Sequence, residues 1–529
     1  MKSIKKILII FIYAIVVTAL TACNTNENDN ESNSDYIVVS KIQKTATNKT
    51  YLEVDGDPFI PTGIQIRTDL LLYKENKSIE EIKDYFELAA SLGVSMIQIP
   101  LPWFSFETDK DVYTFRDVGK MMEYAQEFGL KMEILLFTVN VTGWSNEVPD
   151  YIANAPDIYP RYPSLSGNGI FLVQNNMNLL KREAKAVNAL MDAIYNWSKS
   201  NNDEHVVIGV QIHNESDVFP RFVLSQQKIM TLDNSRRLTD IEAWEETLEA
   251  YDYIGKVIKN SKYRVVTRAN VALAWKDSWD SFVPPIFQLE GIDIVGDDTY
   301  DSTISVNKTV IENLNSNTYF SGNNFPHISE NDGSFISTPS LILAATALGG
   351  GYYIYDLATP IIALDEYGWD DWSIYNPRTL DDKSHTQLTR SVLNGIALAG
   401  KKYILADIGN IAVFNVEDDI PQLNITQNIQ TKYAKFTFET ETGALAYAIT
   451  YNDVIYIYST SAANISVSNV ILASQAQVGS INKIGDFIEG EDRVSITDNK
   501  LIVEGGYLYK IDILTINKEL ESNVIDNIG

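Results

Sequence analysis

Two glutamic acids sit where acid–base chemistry on a neutral substrate would need them. The first is Glu215, which ends the run VVIGVQIHNE at residues 206–215. That run is β-branched and apolar until Gln211, His213, Asn214 and Glu215 turn it polar. This is the pattern of a buried parallel strand whose C-terminal end opens onto a site. The second is Glu330, which closes the short run FPHISE at residues 325–330 ahead of a turn at 331–333. The 115 positions between them (330 − 215) leave room for three further strand–helix units. Both acids are therefore expected on one rim of a barrel, on strands four and seven. A pair of carboxylic acids at such a rim suits cleavage of a glycosidic bond. One protonates the departing oxygen, and the other attacks or stabilises the anomeric carbon.

The energetics allow the two roles. A free glutamic acid ionises near pH 4.3, and a working acid near neutrality needs a shift of about two units, or roughly 3 kcal/mol. Two carboxylates about 5.5 Å apart repel by about 3 kcal/mol at an effective dielectric of about 20. The pair supplies the shift if donors keep Glu330 ionised. Arg67, at the mouth end of strand one, is the expected donor, and Gln65 in the same GIQIR motif (residues 63–67) is a second polar candidate for substrate contact. Sugar rings stack their C–H faces on aromatic rings, so Trp103, Trp144, Tyr300 and Tyr353 are the expected platform, although each type serves the core equally well. His213 and His327 lie near the acids and are expected to hydrogen-bond at the pocket. Three rival carboxylates remain: Asp297 and Asp298 at the end of strand six, and Glu366 after strand eight. None lies on the diagonal that Glu215 sets.

Other chemistries lack their motifs. The four histidines, 205, 213, 327 and 385, form no His-Glu-x-x-His run and no zinc spacing, so no metal or cofactor is expected. No Gly-x-Ser-x-Gly elbow is present, and no Gly-rich phosphate fingerprint follows the first strand.

The elements that must position the acids follow a strand–helix rhythm from about residue 51. Strand candidates fall at 58–66, 94–100, 131–137, 206–215, 263–268, 292–296, 325–330 and 351–355. Helical patterns occupy 78–93, where SIEE at 78–81 is a capping box, and 118–129, 178–198, 241–259 and 384–398. The connection at 138–174 is long and rich in Pro and Tyr, which suggests a lid or subsite wall. Eight such strands fit an α/β fold, a (β/α)8 TIM barrel over residues 41–402. Beyond it the period changes to two. Hairpin signals at 452–453 and 498–499 predict a smaller all-β sandwich at 403–529.

Several segments together resemble the superfamily of retaining glycosidases that carry Asn-Glu after strand four and Glu after strand seven. They are GVSMIQIPLPW at 93–103, YTF at 113–115, VPDY at 148–151 and QIHNE at 211–215. Within that superfamily the chain is most similar to glycoside hydrolase families 35 and 42, the β-galactosidase-like groups. The resemblance implies that Glu215 is the acid/base, that Asn214 holds the sugar 2-hydroxyl and that Glu330 is the nucleophile. It also implies retention of anomeric configuration and an oligosaccharide or polysaccharide substrate. The chain departs from the families at His213 and in strand one, which lacks their His-Tyr.

The N-terminus reads as a processing signal. Lys2, Lys5 and Lys6 precede an apolar run at 7–17, and LTAC at 20–23 resembles a bacterial lipobox. Residues 1–22 are thus expected to be removed and Cys23, the chain's only cysteine, to be lipidated in the bacterial cell envelope. A polar tether at 23–40 follows. The formal charge is −28, and loss of the three lysines makes it −31. Such a surface repels phosphate backbones and anionic lipid, so nucleic acid is excluded as a partner and the membrane is met through the anchor alone. A non-catalytic glycan-binding lipoprotein on the same scaffold is the alternative from another class.

Overall fold

A computed structural model describes residues 36–139, 147–162, 171–216, 231–232, 236–237, 240–272, 279–316, 322–417, 420–481 and 486–516. The chain divides into residues 1–37 and a compact unit from Val38 to Gly529, which holds everything that follows.

Eight parallel strands close a barrel in chain order. They are β1 (Thr62–Gln65), β2 (Met96–Pro102), β3 (Lys131–Phe137), β4 (Val207–Ile212), β5 (Val266–Ala272), β6 (Ile294–Asp298), β7 (His327–Asp332) and β8 (Gly351–Tyr355). Each expected strand appears in its place, with two corrections of extent. The first expected strand is two strands: Asp57–Phe59 belongs to a three-stranded antiparallel sheet with Ser40–Lys44 and Thr50–Val54, and only β1 enters the barrel. Pro61 lies between the two segments. The fifth strand begins later than expected, because Tyr263–Arg264 forms a separate short strand before β5. The polar tether also ends earlier than residue 40. The Ser40 hydroxyl donates to the Ile208 carbonyl at 2.6 Å and accepts from the Val266 amide at 2.9 Å, which ties it to β4 and β5.

Helices cover the barrel where apolar stripes predict them. In Ile79–Leu92 the Ser78 side chain accepts from the Glu81 amide while Glu81 returns a bond to the Ser78 amide at 2.7 Å, and Gly93 ends the helix at φ 91°. Arg116–Glu127, Met177–Ser200 and Asp240–Lys259 match the expected stretches within a few residues. Helices outside the expected stretches include Ile304–Leu314, which buries one stripe of Ile304, Asn307, Val310, Ile311 and Leu314, and Thr338–Ala347, which gives no amphipathic signal. The second is buried along its whole length, so it has no polar face to create a period.

The barrel interior below the mouth is polar as well as apolar. Arg268 on β5 is fully buried and forms a two-point pair with Glu133 on β3 at 2.8 and 2.9 Å, while Gln98 on β2 donates to Glu133 at 3.0 Å. The guanidinium lies 5.7 Å from the Tyr353 ring centroid. Tyr353 takes the space opposite Gly63, where a Cβ would stand 2.5 Å from its ring.

The final barrel helix, Thr386–Leu405, runs a little past the expected boundary and carries the β domain. Tyr447 and Tyr458 donate to the carbonyls of Gly395 and Ser391, both at 2.6 Å. The domain is a sandwich of one seven-stranded and one four-stranded sheet around Phe414, Phe436, Phe438 and their aliphatic neighbours. The hairpin Ala446–Tyr451/Val454–Ser459 turns at Asn452 as expected. The turn at 498–499 is also present, but its flanking strands part at once. Phe487–Ser495 joins the larger sheet and Lys500–Val503 the smaller.

Candidate active site

Parallel strands deliver their C-terminal ends to one rim, and both glutamic acids lie there. A cavity of about 740 Å³ at the barrel mouth is lined by Asn214, Glu215, Glu330, Gln65, Arg67 and Tyr300, among others. Glu215 follows β4 and Glu330 lies within β7, as the sequence predicts.

Glu330 is held at both oxygens. Gln65 Nε2 donates to Oε1 at 2.9 Å and the Tyr300 hydroxyl donates to Oε2 at 2.5 Å. Burial pushes the Glu330 carboxyl above the usual range, opposed by these two hydrogen bonds and by the charges of Arg67 and Arg268. Burial, with Glu330 alongside, also drives the Tyr300 phenol well above its ordinary value, so Tyr300 remains a donor at any working pH.

Arg67 corrects one expectation. It lines the cavity, but its hydrogen bonds go to Asp69, at 2.9 and 2.6 Å, and to the Tyr355 hydroxyl, at 2.5 Å. The donors to Glu330 are Gln65 and Tyr300, and Arg67 acts on that carboxylate only through its charge. An intervening turn brings Asp69 back onto Arg67, a pairing across two residues that strand periodicity does not reveal.

The turn after β4 is unusual. His213 and Glu215 both adopt left-handed backbone, with φ of 55° and 48°. Such a conformation costs a non-glycine residue about 1–3 kcal/mol, and the surroundings must impose it. Gln211 Nε2 donates to the His213 carbonyl at 2.9 Å, and the Glu215 amide donates to Asn270 Oδ1 at 3.0 Å. His213 itself is fully buried, its Nε2 2.8 Å from Glu183 Oε1 and its ring 5.9 Å from Tyr251. It therefore braces the turn from behind and does not line the cavity. His327 is also buried below the mouth, edge-on to Tyr353 at 4.1 Å.

The aromatic wall differs from the expected platform. Tyr300 belongs to it. Trp103 does not: it is fully buried and its indole donates to Glu107 at 2.8 Å. Tyr353 does not either, since it fills the barrel interior and its hydroxyl meets Met96 Sδ at 2.7 Å. Trp144 and Cys23 lie outside the described residues. The wall is built instead by Phe137, Tyr355, Tyr367, Trp369 and Trp372. Trp369 and Trp372 lie 5.6 Å apart, Tyr355 is 5.7 Å from Trp372, and the Arg67 guanidinium sits 5.1 Å from the Trp369 centroid. Backbone bonds from Asp356 to the Trp372 carbonyl at 3.1 Å and from Ile374 to the Asp356 carbonyl at 3.0 Å fix this loop. The segment YGWDDW at 367–372, after strand eight and the short helix Ile361–Asp365, is the sequence signal for it. Of the rival carboxylates, Asp297 and Asp298 are fully buried and Glu366 is exposed; the cavity wall includes none of them.

Among the described residues no group of His, Cys, Asp and Glu is arranged to hold a metal ion.

A family model described as a domain of unknown function (DUF4978) matches residues 247–421, from the helix before β5 into the β domain. No curated protein matches the chain. Among solved structures, a family 39 glycoside hydrolase from Bacteroides cellulosilyticus WH2 is similar at 11% identity and a TM-score of 0.44, over 88% of this chain and 84% of that one. An exo-β-1,4-mannosidase from an Opitutaceae bacterium, strain TAV5, is similar at 13% identity and 0.45, over 70% of this chain and 63% of that one. A β-galactosidase from Halorubrum lacusprofundi is similar at 10% and 0.44, over 64% and 58%. The chain thus spans less than two thirds of the mannosidase and of the galactosidase. At these identities the chemistry must be read from the site itself.

Proposed function

We propose that the protein is a retaining β-glycosidase that cleaves O-glycosidic bonds of neutral glycans with two glutamic acids. One observation carries this reading: Glu215 and Glu330 line the same cavity at the C-terminal mouth of the barrel. Glu330 is the nucleophile, held in place by Gln65 and Tyr300. Glu215 protonates the leaving oxygen and then activates water for the second displacement. Asn214 orients the sugar at its 2-hydroxyl. The aromatic wall offers faces for the C–H surface of the ring, and the Arg67–Asp69 pair offers both a donor and acceptors to hydroxyl groups.

Release of nitrophenol from a panel of aryl β-glycosides tests the reading. The resemblance to families 35 and 42 puts the β-galactoside first. Turnover of at least one member is expected; sugar binding without turnover of any member would favour a glycan-binding protein. Trp369→Ala and Trp372→Ala are each expected to raise KM about fivefold with a smaller change in kcat. Loss of one stacking face removes roughly 1 kcal/mol that ground state and transition state share. Initial-rate kinetics on the best substrate check this.

We further propose a lipid anchor at Cys23 in the bacterial cell envelope. Cys23→Ser is expected to abolish incorporation of labelled fatty acid and release the protein from the membrane fraction. Labelling that survives the substitution would contradict it.

A further inference from the structure

Behind the candidate acid lies a chain of buried side-chain amides that meets the cavity at Asn214. Asn270, on β5, is fully buried. Its Oδ1 accepts from the Glu215 amide at 3.0 Å, and its Nδ2 donates to Asn214 Oδ1 at 3.0 Å and to Asp298 Oδ2, on β6, at 2.6 Å. Gln211 Nε2 supplies a second donor to Asn214 Oδ1, at 2.9 Å.

The amide orientations follow from these bonds. Were Asn270 flipped, its NH2 would face the Glu215 N–H, donor against donor, and its oxygen would face Asn214 Oδ1. Asp298 supplies the acceptor that favours the unflipped state. Asn214 Oδ1, with two donors on it, is fixed in turn, and with it the side of the amide on which its NH2 lies. Asn270 thus touches both members of the Asn214-Glu215 pair, and it holds the left-handed backbone at Glu215 through that residue's own amide.

We propose that Asn270, oriented by Asp298, is the positioning residue that sets both the amide of Asn214 and the backbone of Glu215 for reaction. The inference rests on the glycosidase reading for its consequence in rate, but its structural content is separate. Asp298 need only accept a hydrogen bond. Burial, with Glu330 and Glu215 nearby, raises its carboxyl well above the ordinary range, which suits a neutral acceptor.

The test compares full-length Asn270→Ala, Asp298→Ala and Asp298→Asn with the wild type on its best aryl glycoside, and takes a crystal structure of Asn270→Ala. Asn270→Ala is expected to lose about a hundredfold in kcat, the scale of an ångström misplacement, with KM little changed. In its crystal structure the Asn214 amide and the Glu215 backbone should leave their wild-type positions. Asp298→Ala should lose rate in the same direction, and Asp298→Asn, a neutral isostere that still accepts, should recover it. A merely structural role would lower thermal stability in all three variants without this split. Wild-type kcat in Asn270→Ala, or an unmoved Asn214 and Glu215 in its structure, would overturn the proposal. If Asn270→Ala does not fold, the two Asp298 variants decide: equal rates in both would overturn it. If the wild type cleaves no glycoside, the glycosidase reading fails alone, and the position of Asn214 and Glu215 in the variant crystal still decides the inference.

Discussion

Glu330→Gln is expected to remove turnover almost entirely while sugar binding persists. An amide in place of the carboxylate keeps the shape, with its oxygen accepting from Gln65 and its NH2 donating to the Tyr300 hydroxyl, but cannot attack the anomeric carbon, so the loss should reach or exceed about 10⁴-fold in kcat. Glu215→Gln should cost about 10²–10⁴-fold, and the cost should depend on the leaving group. A nitrophenolate leaves with little protonation, so its first step should survive better than that of a natural glycan. Steady-state kinetics on one activated and one unactivated substrate measure the difference. Equal losses on both in Glu215→Gln would mean that residue 215 is not the acid.

The second large effect concerns pH. Tyr300 donates to Glu330 Oε2, and a hydrogen bond to a charged carboxylate is worth about 1.5–3 kcal/mol. Glu330 attacks only when ionised, so activity rises with pH as its proton leaves. The Tyr300 bond favours the ionised form and holds the Glu330 pKa down against burial. In Tyr300→Phe the pKa should therefore rise, and the acid limb of kcat/KM should move to higher pH by about one to two units. At a fixed pH on that limb the rate should fall about 10- to 100-fold. A pH–rate profile reads the shift directly, and an unmoved acid limb would mean that Glu330 does not set it.

Much of the site was legible because parallel buried strands announce their ends. Residues 206–215 switch from apolar to polar near their end, and 325–330 close on an acid, so the sequence alone assigns Glu215 and Glu330 to one rim. What the pattern cannot carry is pairing. Arg67 looks like a donor for the pocket carboxylate, yet Asp69, two residues on, takes two of its hydrogen bonds. Residue type also fails to separate wall from core. Trp103 and Tyr353 are aromatic and near the mouth in sequence, but both are interior. Trp369 and Trp372, on a loop without periodicity, form the wall instead. Asn270 shows the same limit. An amide in the middle of a buried strand signals a partner without saying which.

The most direct test is to trap the covalent intermediate. A 2-deoxy-2-fluoro aryl glycoside of the preferred sugar slows the second displacement and leaves the sugar ester-linked to the nucleophile. Mass spectrometry of the digested protein should find the added mass on the peptide containing Glu330. The added mass on a peptide containing Asp298 or Glu366, or turnover of the parent substrate with inversion and no adduct, would contradict the two-glutamate account.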